Sequence, residues 1–293
     1  MDMSFRPTSA VPIFNPANVS FCTFREAAES YLQNGGDGKY LPILIREIGD
    51  APLSAIHPFD VKQLAKSLYP TQKTATLNRY VITPIRAVMY HAFERGWGPP
   101  PRLRNYKQDA PRRKKPASQA WLHAFLRQAD RDGLHHVGSL VMFMSQTAAR
   151  VSEAIRVEWP DIDLTARTAL LRRTKTGTNS LRYMTDQLVA RIYKLREGAD
   201  PDLPVFRITH RSSVNERIAA ICERAGISYK PSHTCGRHAF ANNSMQLGND
   251  IKTTMVAGGW RSSAVFLEVY CNPQNAGRIV AERFNTYQYD SDL

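Results

Sequence analysis

The stretch SHTCGRHAFA, residues 232–241, sets His233, Arg237 and His238 within six positions, beside a glycine and just ahead of the apolar pair Ala239 and Phe240. All three side chains can donate to an oxyanion, and the apolar pair argues that a partly buried helix starts here. Burying cationic groups without a partner is costly. The cluster is therefore either a solvated loop or a receptor for something anionic. Three other stretches hold residues of comparable chemistry. In QTAARVSEAI, Arg150 opens a helix and Glu153, three positions on, lies on the same side, where its carboxylate could hold the guanidinium. An ordinary surface salt bridge would look the same. In RRTKTGTNSLR, Lys175 precedes Thr-Gly at the tip of a hairpin, from which an ammonium could reach a ligand lying over a sheet. A solvated turn lysine is the commoner case, and Arg172 and Arg173 compete for the role. In VAGGWRSSAVFLEVYCNP, two glycines let the backbone turn tightly before Trp260, and Ser263 can cap a short helix carrying Tyr270. Without chemistry, these are a core aromatic and a half-buried one.

The elements that must position these residues follow from periodicity. Residues 1–20 are rich in Pro, Ser and Asn and read as a loose lead-in. TFREAAESYL then has the Thr23–Glu26 spacing of a capping box. HPFDVKQLAKSLY follows, and TATLNRYVITPIRAVMYHAFERGWG repeats Leu77, Val81, Ile85, Val88 and Met89 at helix spacing. Pro84 is expected to kink or interrupt that helix, and Gly96 to end it. Residues 21–104 therefore read as a small helical domain. PPPRLRNYKQDAPRRKKPAS holds five prolines, seven Lys or Arg and one acidic residue, a composition that sustains neither helix nor strand. Its core, 105–117, reads as a linker. Arg102, Arg104, Lys107, Arg112, Arg113, Lys114 and Lys115 give it the charge of a strap that could follow a DNA backbone, although a solvated charge run is the default. Ser118 caps the next helix, apolar at Trp121, Leu122, Phe125 and Leu126, and GSLVMFMSQTA suits a core helix. RVSEAIRVEW reads as a further helix. Short alternating segments around TARTA and KTGTN read as a small antiparallel sheet. Ser213 and Glu216 look like a second capping box, opening VNERIAAICERAG. Helical segments then run to about residue 285, leaving 286–293 as a tail.

Composition narrows the partners. The chain has 293 residues, 43% of them hydrophobic, and a formal net charge of +13. That balance supports real cores and favours a polyanion, nucleic acid first and an acidic membrane surface second. No apolar run suits a bilayer span and no secretory leader is expected. Cys22, Cys222, Cys235 and Cys271 lie far apart without a CxxC pair, so no metal site is expected and the thiols read as reduced, in the cytoplasm. There is no GxGxxG and no GxxxxGK[ST], so nucleotide cofactors lack support.

Taken singly, none of the four stretches decides a function. Taken in order, ARVSE, then KTG, then H..GRH.FA, then GGW and a tyrosine ten residues later, the series resembles the tyrosine recombinases, also called phage-type integrases. The resemblance covers most of the chain. It implies a mainly α fold with a small antiparallel sheet: a helical core-binding domain at 21–104 and an α+β catalytic domain at 118–285. It also implies roles. Arg150 and Arg237 would hold the non-bridging oxygens of one DNA phosphate, Lys175 would protonate the departing 5′ oxygen, and a histidine near 233 would assist proton transfer. Trp260 would donate its indole N–H, Tyr270 would be the nucleophile of a 3′-phosphotyrosyl link, and Glu153 would support the first arginine. Arg172 and Arg173 join the basic strap as DNA contacts. Neither metal nor cofactor is implied, because fixed guanidinium donors stabilise charge that gathers on the equatorial oxygens, and the covalent link conserves bond energy without ATP. The implied partners are duplex DNA carrying a recombination site, further copies of the chain in a tetramer on paired sites, and accessory DNA-bending proteins. A silent DNA-binding module of the same fold and a type IB-like topoisomerase are the alternatives. One departure stands out. The family usually spaces His-x-x-Arg, whereas His233 and Arg237 are four apart, and one residue of slip turns a helix by about 100°. Gly236 could absorb it if His233 sits before the helix begins, with His238 buttressing the site.

Overall fold

A computed structural model describes residues 22–108, 115–172, 177–197, 199–200, 203–270 and 276–286. Two compact units divide between Pro111 and Arg112.

The first unit is helical: α1 (Phe24–Gln33), α2 (Leu41–Ile48), α3 (Pro58–Leu68), α4 (Thr74–Leu77) and α5 (Thr83–Glu94). The capping box expected at α1 is present, with the Glu26 carboxylate accepting from the Thr23 N–H at 2.8 Å and the Thr23 hydroxyl from the Glu26 N–H at 3.3 Å. The core gathers Phe24 and Ala28 of α1, Leu41 and Leu44 of α2, and Ile85 and Val88 of α5. Pro84 does not interrupt the last helix. The chain stays helical from Thr74 to Glu94, through a π turn at Asn78–Ile82 between α4 and α5. Proline removes one N–H and crowds the carbonyl four residues back, and the wider turn just before it relieves both demands. Gly96, at φ +71°, ends the run as expected.

In the second unit Ser118 caps α6 (Gln119–Arg131), its hydroxyl accepting from the Trp121 N–H at 3.2 Å. The apolar stretch after it is α7 (His135–Thr147), the central core helix, with Leu140, Phe143 and Met144 wholly buried. It stops at Ala148 in the left-handed region, φ 56°, which turns the chain toward Arg150 and the short α8 (Val151–Ala154). RVSEAIRVEW thus yields one turn of helix rather than a long one. The antiparallel sheet has the order β1 (Ile162–Asp163), β2 (Thr168–Leu171), β3 (Ser180–Tyr183), with Ala169 opposite Arg182 and Leu171 opposite Ser180. Next come α9 (Asp186–Arg196) and α10 (Arg211–Arg224). α10 opens at His210, three residues before the Ser213 expected to cap it, so Ser213 lies inside the helix. A π turn at Thr234–His238 leads into α11 (Ala239–Gln246), then α12 (Ile251–Gly258) and α13 (Ser263–Val265). The cap of α13 is Ser262 rather than Ser263, its hydroxyl accepting from the Val265 N–H at 3.3 Å. Another π turn spans Phe266–Tyr270, and α14 (Ala276–Phe284) closes the described chain. Among the described residues no helix is long and apolar enough to cross a membrane.

Candidate active site

The sequence places Arg150 at the start of a four-residue helix, and the fold uses Glu153 to hold it there. The Glu153 carboxylate accepts from the Arg150 backbone N–H at 2.9 Å and from its guanidinium at 2.7 Å. Glu153 is buried while the Arg150 side chain is about a third exposed. A buried carboxylate gripping a cation that still faces outward is more than a surface ion pair. It fixes the guanidinium without using all its donors.

Arg237 is held differently. It is 2% exposed, and carbonyls rather than a carboxylate receive it: Ala148 O at 2.7 Å, Gly258 O at 2.9 Å and Gly259 O at 3.4 Å. Its guanidinium carbon lies 3.8 Å from the Trp260 ring centroid, a close cation–π contact. Burial, then the nearby Arg150 charge, lower its pKa to about 10. Its Nε and the Trp260 Nε1 are buried donors with no hydrogen-bond partner among the described residues. Buried donors are nearly always answered, so this pair is open to an acceptor that the described residues do not supply.

The one-residue departure in the motif is absorbed by the π turn. His233 is already helical, at φ −66° and ψ −34°, so the condition under which Gly236 was to absorb the slip, His233 lying before the helix, is not met. Hydrogen bonding from i to i+5 accommodates the extra residue locally, so Arg237 is not swung away. Gly236 lets this turn press on α7: a Cβ there would sit 2.9 Å from the Met144 Cβ.

Tyr270 ends the other π turn and meets this group. Its hydroxyl is 3.4 Å from His233 Nε2. His238, buried, lays its ring 4.6 Å from the Tyr270 ring at a 31° tilt, and Trp260 meets the same ring edge-on at 5.0 Å. The Asn242 side-chain amide, which the sequence reading missed, donates to Tyr270 O at 2.8 Å and His238 O at 3.0 Å, fixing both backbones. A pocket of about 120 Å³ between Arg150, Ser152, Ser232, His233 and Arg237 opens onto the cluster. Arg211, the first residue of α10, also lines it and was likewise missed. No sequence signal marked it, because the helix was expected to open only at Ser213.

The structure thus brings together Arg150, Glu153, His233, Arg237, His238, Trp260 and Tyr270. Lys175, Arg173, Arg112, Arg113 and Lys114 lie outside the described residues. Arg102, Arg104 and Lys107 are exposed in the first unit, and Lys115 is exposed in the second. Arg172 is exposed and ion-paired with the buried Asp161. Among the described residues no group of three or more His, Cys, Asp or Glu is arranged to hold a metal ion.

Residues 122–276, more than half of the chain, match the model of the phage integrase family. The chain belongs to the phage integrase family. Within it, the tyrosine recombinase XerD of Bifidobacterium longum (strain NCC 2705) is 32% identical over 149 residues, 45% of this chain and 48% of that protein. The match therefore spans about half the length of that relative. Solved integrase structures share the fold at lower identity. The Tn1549 transposon integrase, in complex with circular intermediate DNA, superposes with a TM-score of 0.65 at 17% identity, covering 91% of this chain and 99% of that one. A lambda integrase dimer bound to a core site gives 0.67 at 14% identity, covering 86% and 95%. The mainly α fold with its small antiparallel sheet is the fold of these integrases.

Proposed function

We infer that this member of the phage integrase family is a site-specific DNA recombinase, cutting and rejoining strands through a 3′-phosphotyrosyl intermediate. The observation that carries the reading is the gathering of Arg237, His233 and the Trp260 ring around one tyrosine, with Arg150 lining the same small pocket as His233 and Arg237. Arg150, steadied by Glu153, and Arg237, steadied by carbonyls, bind the non-bridging oxygens of one phosphate. The Nε of Arg237 and the indole N–H of Trp260 meet the negative charge that grows on those oxygens during attack. His233 takes the proton from the Tyr270 hydroxyl. Their 3.4 Å separation is long for a proton-transferring bond and of the kind that tightens once substrate is bound. His238 serves the ring of Tyr270 rather than its proton, since it stacks on the ring face. The Tyr270 oxygen bonds to phosphorus as the 5′ oxygen leaves, and Lys175 supplies that oxygen with its proton. Rejoining reverses these steps, so no metal or ATP is required.

Residues 21–104 act as the core-binding domain, 118–285 as the catalytic domain, and the 105–117 strap tracks the duplex backbone between them. The DNA partner accords with the relatives solved on DNA. A cytoplasmic, bacterial or phage-encoded setting suits this role, with accessory DNA-bending proteins as further partners. Assembly into a tetramer is favoured over a single-site topoisomerase by α14, where Ile279 and Val280 are 42% and 51% exposed on a helix without buried residues. That face docks on a second copy. Sedimentation on DNA should lose the higher species when 276–293 are deleted, and unchanged assembly overturns the tetramer. The reading as a whole is tested by a nicked suicide duplex. The wild-type chain should form a denaturant-resistant protein–DNA adduct and Tyr270→Phe none. Equal trapping by the Phe variant would show the nucleophile to be another residue.

A further inference from the structure

Strand β3 is built inside out. Its alternation turns Leu181 and Tyr183 to solvent, 51% and 75% exposed, and turns Arg182 inward, 5% exposed. A one-residue change of register would bury the two large side chains and free the charge, so something must hold the arginine in. Opposite it on β2 stands Ala169, small and wholly buried, which leaves room for the long side chain.

What holds it is the C-terminus of α12. The Arg182 guanidinium donates to Ala257 O and, at 3.3 Å, to Gly258 O. These are carbonyls a helix end leaves unanswered, at the negative end of its dipole. Arg237 reaches the same turn, donating to Gly258 O and Gly259 O. Two buried cations therefore share one carbonyl. Gly259 makes the approach possible, with φ at +66° and a Cβ position only 2.6 Å from Arg182 Nη2. Gly258 is needed as well, since a Cβ there would overlap the Trp260 ring. The Arg182 charge is felt within the site: burial lowers its pKa, and Glu153 and Arg150 act on it in opposite directions. Its Nε, like those of Arg237 and Trp260, finds no partner among the described residues.

We propose that Arg182 is a positioning residue of the phosphate site, holding the Gly258–Gly259 turn from strand β3 and thereby fixing the donor directions of Trp260 and Arg237. The proposal rests on the recombinase reading for the use of those donors, but not for the geometry of the turn. Truncating the guanidinium leaves Ala257 O without this donor and frees the turn to shift, and displacements near 1 Å at reacting groups cost on the order of a hundredfold in rate.

The test uses the full chain labelled with 5-fluorotryptophan, with the Trp260 resonance assigned by Trp260→Phe. Arg182→Met should move the Trp260 fluorine resonance and leave those of Trp97 and Trp121 in place. On a nicked suicide duplex it should slow single-turnover adduct formation at least tenfold at saturating DNA, with the DNA dissociation constant within threefold of wild type. Arg182→Lys should recover part of both signals, and it carries both readouts alone if the Met variant does not fold. An unmoved Trp260 resonance with a wild-type rate in the folded variants overturns the proposal. So does a rate loss matched by weaker DNA binding with no change at Trp260. If the wild-type chain itself forms no adduct, the recombinase reading fails, and the fluorine spectra alone decide whether Arg182 sets the turn.

Discussion

The helical run of the first unit widens into a π turn at Asn78–Ile82, and the helix entering the site of the second unit does so at Thr234–His238. Both turns bury polar side chains, and the difference lies in how those are answered. In the first, Asn78 donates to Tyr106 O at 3.0 Å and accepts from Tyr106 N at 2.7 Å, so its amide is paired on both sides. In the second, Arg237 satisfies three carbonyls yet keeps its Nε without a partner among the described residues. A widened turn is a way to place a polar group inside a helical core. Whether the result is architecture or chemistry depends on whether every donor is met within the fold.

The sharpest way to break this comparison is to remove the open donor. Arg237→Met should lower single-turnover adduct formation at least 10²–10³-fold, the scale of losing one preorganised oxyanion donor. A loss below tenfold would make Arg237 as architectural as Asn78. The complementary change is Asn78→Ala, which removes two answered bonds and strands the Tyr106 groups. It should cost about 1–3 kcal/mol in urea unfolding, with adduct formation at saturating DNA unchanged. A slower cleavage step there, at full occupancy, would mean that the closed turn also serves the reaction. Gly236→Ala isolates the turn itself. The new methyl would meet the Met144 Cβ at 2.9 Å, and overpacking of this kind costs about 1–3 kcal/mol. Both stability and cleavage should fall, because the displaced turn carries Arg237 and His238.

Much of this was legible in residue types and spacing. The capping box at Thr23 and Glu26, the Ser118 cap and the apolar face of α6 follow local rules that tertiary packing did not override. Arg150 with Glu153, and the order of motifs through Tyr270, pointed to the cluster that the fold assembles. What stayed hidden depends on long-range contact. Nothing in the sequence marks Arg182, because alternation on its own favours turning Leu181 and Tyr183 inward. Asn242 is a polar residue in a helix until the backbone of Tyr270 arrives beside it. The spacing of His233 and Arg237 advertised a slip but not its remedy. A π turn is stabilised by what packs on it, here Gly236 against α7, and no i, i+3 or i, i+4 pattern encodes that. The start of α10 was misjudged for a related reason: no side-chain cap sits at His210, while Ser213 and Glu216 imitate one within the helix.

The smallest expected effects compare one capping carboxylate from each unit. Glu26 is held below its ordinary pKa chiefly by the Thr23 backbone N–H and then its hydroxyl, and Asp250 by the Thr253 hydroxyl and then its backbone N–H. A lowered folded pKa means that each contribution is complete above the unfolded value, about 4.3 for Glu and 3.9 for Asp, and is lost as pH falls through the folded value. The stability difference between wild type and Glu26→Gln, read from urea midpoints, should therefore be flat from pH 7 to 5 and shrink below about 4.3. Asp250→Asn should behave alike, its decline beginning nearer 3.9. The two should part in a second readout. Asp250 caps α12, whose far end is the Gly258–Gly259 turn under Trp260, whereas Glu26 closes the capping box of α1 in the first unit, away from that turn. Asp250→Asn should slow adduct formation slightly at neutral pH, and Glu26→Gln should not. Equal cleavage by both would show that the turn is held by its arginines alone and takes nothing from the helix start.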